Sequence, residues 1–153
     1  MLLDPAGFSG ADVLSRPAGR LDLGQRARLA EIADRVQVAH DLLLTFADRY
    51  AAFPRLAEAQ EREVRLLRDL LRRYPAGRFG VTTVRDDYDH LLARGNLGRA
   101  EAARAVAEAL HRVLVLLDAE LPHASAPDVH DAYTRLSAAT IRQLQAVQGW
   151  CPR

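Results

Sequence analysis

Four stretches of this chain repeat apolar residues every three or four positions and none alternates them, so helices must supply the core. The first stripe is Leu29, Ile32, Val36, Leu43, Ala47 and Tyr50, opened by Asp22 as an N-cap. Phe53-Pro54 restarts the chain after a turn near Ala51 and Ala52. Leu56, Leu67, Leu70, Leu71 and Tyr74 then mark a second helix that Pro75 and Gly77 stop. A third runs from Gly98 to Leu121 on Val106, Leu110, Val113, Leu114 and Leu117, and breaks at Pro122. A fourth opens around Ser125, Pro127 and Asp128, carries Val129, Tyr133, Leu136, Leu144 and Val147, and stops before Gly149. Between the second and third, Val84 to Ala93 predicts a small connecting helix with Gly95 as its C-terminal cap. The expected fold is all-α: an antiparallel four-helix bundle with a short connecting helix between helices two and three.

A length of 153 residues suits one domain with a real core. Residues 1–20, with Pro5, Gly7, Gly10, Pro17 and Gly19, read as a flexible N-terminal arm, residues 21–149 as the bundle, and residues 150–153 as a tail. The 21 basic residues are all arginine and balance 20 acidic ones to a net charge of +1, which argues against nucleic acid as a partner. No segment is apolar enough to predict a membrane span or a secretory signal. Cys151 is the only cysteine, which excludes an internal disulfide and a cysteine metal cluster. A cytoplasmic protein is the expectation.

Gln60 and Glu63 fall inside the apolar stripe of the second helix, since a turn of about 100° per residue carries both toward the core. A buried carboxylate costs several kcal/mol unless it is paired, hydrogen-bonded, protonated or metal-bound. The other helices, rotated by their own stripes, contribute His40 from the first and Thr140 from the fourth, with Ser137 and Gln143 toward its edges. The hairpin between the first two helices sets His40 level with Glu63. A charged His40–Glu63 pair, with hydrogen bonds from Gln60 or Gln143, would offset part of the burial cost. Three readings follow: a satisfied polar core, a ligand or acid–base site built on His40 and Glu63, and a metal site drawing on His40, Glu63 and His111.

Other polar groups carry less. Glu108 and His111 have a Glu-x-x-His spacing, but Glu108 turns away from the stripe toward Arg104 and Arg112, and His111 borders it. Asp86, Asp87, Asp89 and His90 on the connecting helix are explained by capping and solvation. Ser137 has no base in view, and no glycine-rich phosphate loop is present.

Residues 30–147 resemble a ferritin-like family of bacterial and archaeal domains of unknown function. The resemblance rests on Phe53 to Tyr74, on Tyr88-Asp89-His90-Leu91-Leu92-Ala93-Arg94-Gly95, similar to a Tyr-Asp-x-Leu-x-x-x-Gly connector, and on Asp128-Val129 with Tyr133. It implies a di-iron carboxylate ancestry whose ligands are mostly replaced. The first-helix glutamate falls near Val36, the Glu-x-x-His becomes Gln60-x-x-Glu63, the helix-three Glu-Glu falls on Leu110-His111, and the last histidine falls on Gln143. One inward glutamate cannot hold two metals.

The expected function is therefore a ferritin-like bundle that has lost di-iron chemistry, without a cofactor, and acts as a binding or structural module. Its polar core pocket comprises His40, Gln60, Glu63, Thr140 and Gln143, open to a small-molecule ligand, and a homodimer could bury the patch around Val115 and Leu116. The alternatives are a small-molecule enzyme using His40 and Glu63 for acid–base chemistry, and a metal-dependent ferritin-like oxidoreductase with a reduced ligand set.

Overall fold

A computed structural model describes residues 8–10, 12–50, 53–76 and 81–149. The turn at Ala51 and Ala52, the stop at Gly77 and the tail with Trp150 and Cys151 lie outside the described residues. Among the described residues five α-helices form: α1 (Leu23–Tyr50), α2 (Pro54–Arg73), α3 (Val81–Gly95), α4 (Arg99–Glu120) and α5 (Pro127–Gln148). The described residues include no strand.

The start of α1 is fixed by a reciprocal capping box. The Asp22 carboxylate accepts from the Gln25 backbone N–H at 2.7 Å, and the Gln25 side-chain oxygen accepts from the Asp22 N–H at 2.9 Å. Before α2 the chain turns through Phe53 in the left-handed region, at a φ of 63°. That conformation costs a non-glycine residue on the order of 1 kcal/mol, offset here because the Phe53 ring is buried.

The connecting helix is longer than its apolar pattern implied. As α3 it runs for 15 residues and packs along both α1 and α4, a fifth member of the bundle rather than a short link. Charge docks it. Asp87 accepts from Arg35 of α1 at 2.5 Å and pairs with Arg112 of α4 at 3.1 Å, which holds its carboxyl below the usual range. Glu108 takes Arg112 at 2.8 Å and Arg94 of α3 at 2.5 Å, while the expected partner Arg104 pairs with Glu101 instead. Gly95 is the last helical residue of α3, and close approach explains it better than a cap. A Cβ there would lie 2.0 Å from the Phe46 ring.

Around the bundle α1 packs on α2 and α4, and α4 on α5, whereas α2 and α5 approach least closely. The described part of the N-terminal arm closes that side. Phe8 and Val13 are buried against it, and Gly10 sits against Leu66. Arg62 donates to the Phe8 carbonyl at 3.0 Å, Arg135 grips the Asp12 carboxylate at 2.6 and 2.9 Å, and Arg73 donates to the carbonyls of Leu14 and Arg16 at 2.5 and 3.4 Å. For these residues the arm wraps the bundle: arginines of α2 and α5 donate to its backbone carbonyls, which composition does not reveal.

At the far end of the same seam Asp128 is fully buried. It accepts from the Tyr74 hydroxyl at 2.9 Å, from Arg73 at 3.0 Å and from the Val129 N–H at 2.8 Å, while the Gly19 N–H donates to Tyr74 at 2.8 Å. Arm, α2 and α5 therefore meet on one carboxylate.

Two substitutions test this packing. Gly95→Ala should lower stability by about 1–3 kcal/mol in urea unfolding, because the Phe46 ring must move. Asp128→Ala should cost about 1–3 kcal/mol and speed exchange of the Gly19 amide, since the buried Tyr74 hydroxyl and Val129 N–H lose their acceptor; unchanged exchange would contradict the clamp.

Candidate functional site

The rotation read for α2 holds: Gln60 and Glu63 are both buried, as are Thr140 and Gln143 of α5. They form a polar layer at the junction of two apolar clusters. On α1 the division falls between Val36 and Val38, on α4 between Leu110 and Val113, and on α5 between Ala139 and Val147.

Gln143 reaches across the seam with both ends of its amide. Its Nε2 donates to Glu63 Oε1 at 2.9 Å, and its Oε1 accepts from Gln60 Nε2 at 2.5 Å. Gln60 Oε1 and Glu63 Oε2 are left buried without a partner. Thr140 stands apart, its hydroxyl donating to the Leu136 carbonyl of its own helix at 2.7 Å. Burial pushes the Glu63 carboxyl up to about 8, against smaller opposing pulls from the Gln143 bond and from Arg62 and Arg142.

His40 is not part of this layer. On α1, Ala39 and Leu43 face the core, and one residue of helical rotation leaves His40 at the margin, 14% exposed, within reach of Gln37 at 3.5 Å and Asp41 at 3.4 Å. The inward rotation expected of His40, and with it the pair with Glu63, is not found. His111 follows the buried Leu110 by the same rotation and is exposed, so His40, Glu63 and His111 do not converge. Among the described residues no group of three His, Cys, Asp or Glu side chains could hold an ion. One carboxylate and two amides do not fit a pair of metals, which need several carboxylates to neutralise their charge.

The Val115 and Leu116 patch also shrinks, because Leu116 packs against the core while Val115 remains 53% exposed. Open clefts lie elsewhere. One of 270 Å³ between α1 and α3 is lined by Asp34, Val38, Asp41, Val84, Arg85 and Tyr88, and another of 380 Å³ runs beside the arm at Phe8, Arg62 and Leu66. Glu63 lines neither.

Sequence reasoning missed Asp128 as a buried group and read it as a helix-start residue. The signal was there in the antiparallel geometry. If Gln143 faces Gln60 and Glu63, then about four turns along the seam Asp128 must meet Arg73 and Tyr74. Comparison with known proteins finds no matching family model, no matching curated protein and no matching solved structure.

A double-mutant cycle of His40→Ala with Glu63→Gln should give a coupling energy below about 0.5 kcal/mol, as for residues without a shared partner. A coupling above about 1 kcal/mol would restore the His40–Glu63 pair.

Proposed function

We propose that this chain is a bundle of ferritin-like plan that has given up di-iron chemistry and serves as a binding or structural module. The observation that carries the reading is the Gln60–Gln143–Glu63 layer: at three of the positions where the related plan would place metal ligands, two amides and one carboxyl bond to one another. Gln60 stands for a carboxylate while Glu63 and Gln143 stand for histidines, so the layer keeps hydrogen-bonding capacity in the core, and the further carboxylates that two metals require are lost at Val36 and Leu110-His111. Apolar or marginal groups stand at the other positions, with Val36 and Leu110 buried in the core.

The acid–base alternative is favoured by one feature, a buried carboxyl titrating near neutrality. It lacks a second group, because His40 is bonded on its own helix and Glu63 has no exposed surface. Self-association would draw on Val115. Membrane association has no support from the helices, since none among the described residues is long and apolar enough to cross a bilayer.

Elemental analysis of protein purified without chelator, followed by titration with ferrous and manganous ions, tests the proposal. Substoichiometric metal and no saturable site are expected. Close to two equivalents of iron or manganese per chain would refute it.

A further inference from the structure

The polar layer contains an imbalance that geometry alone exposes. Three side chains meet, and in a closed ring each must give one hydrogen bond and take one. Gln60 gives to Gln143, and Gln143 gives to Glu63. Glu63 should then give to Gln60, and the two atoms without partners are the ones this last bond would join, Glu63 Oε2 and Gln60 Oε1. Both belong to α2, three residues apart on one face. An ionised carboxylate donates nothing. Reversing both amides runs the ring the other way and leaves the count unchanged, so no amide orientation closes the ring around a carboxylate.

We propose that Glu63 is held as the neutral acid, its Oε2 hydroxyl donating to Gln60 Oε1, so that Gln60, Gln143 and Glu63 form a closed ring that clasps α2 to α5. The clasp is pH-sensitive. Loss of the proton removes the closing bond and leaves an unpaired charge between two apolar clusters, on the side of the bundle where the helices approach least. The proposal does not depend on a ferritin-like ancestry.

The surrounding charges do not supply another counter-ion in the layer. On α2 and α5, Arg62 and Arg142 act on Glu63 through Coulomb attraction, and burial outweighs both. On α1, His40 and Asp41 are engaged with Gln37 and each other. On α4, Glu108 is paired with Arg94 and Arg112, and His111 is exposed. The sign of the pH effect follows. Glu63 ionises near its ordinary value of 4.5 in the unfolded chain and near 8 in the folded one, so across that window the folded state holds the extra proton. Stability therefore falls as pH rises through the window and levels off above it.

Two measurements on the full chain test the clasp. In carbon-13 carboxyl NMR the Glu63 resonance should be that of a neutral acid at about pH 7, with its titration displaced several pH units above ordinary glutamates. A carboxylate signal at that pH, as a bridging water between the two oxygens would allow, overturns the proposal. In Glu63→Gln the new amide replaces the hydroxyl as donor without a titrating proton. Its melting temperature should lose the decline expected of the natural chain between about pH 5 and pH 8. A parallel decline in both proteins would overturn it as well.

Discussion

Glu63 is fully buried and hydrogen-bonded through one oxygen to Gln143 on the opposite helix. Taking a carboxyl out of water costs several kcal/mol, and the two apolar clusters that flank it offer little to offset it. The amides of Gln60 and Gln143 are what make the position tolerable, and they do so only if α2 and α5 keep one register and one rotation. A slip of one residue on either helix would separate the partners by about 100°. The polar layer contributes specificity of packing where apolar contacts alone would permit sliding.

That role is sharpest because α2 and α5 approach each other least. The seam is held at three levels: the Gln60–Gln143–Glu63 layer, the docked arm with Phe8 and Val13, and the Asp128 carboxylate shared by Tyr74 and Arg73. The opposite side is closed differently. There α3 lies over α1 and α4, and Asp87 and Glu108 distribute three arginines among the helices. Arg35 is largely shielded from water, so its pair with Asp87 is worth more than an exposed one.

The helices and their rotations were legible because apolar periodicity is dense and each boundary is punctuated by proline, glycine or a capping residue. Gln60, Glu63, Thr140 and Gln143 were found inside for the same reason. The His40 pairing failed because a hairpin fixes height, not azimuth, and a residue one step from Ala39 faces sideways. How the arm docks was not legible because its anchors are backbone carbonyls received by arginines distant in sequence, a pattern that no local composition encodes. The extent of α3 was underestimated because its first turn carries threonines rather than an apolar stripe, and its docking uses charge.

The central claim is that Gln143 sits dry between Gln60 and Glu63. Hydrogen exchange of its side-chain amide, followed by nitrogen-15 NMR beside the exposed Gln148 as an internal reference, reads that claim directly. Protection of the Gln143 amide by orders of magnitude relative to Gln148 is the predicted result. Equal exchange at the two amides would mean that water reaches the layer freely, and would contradict the account.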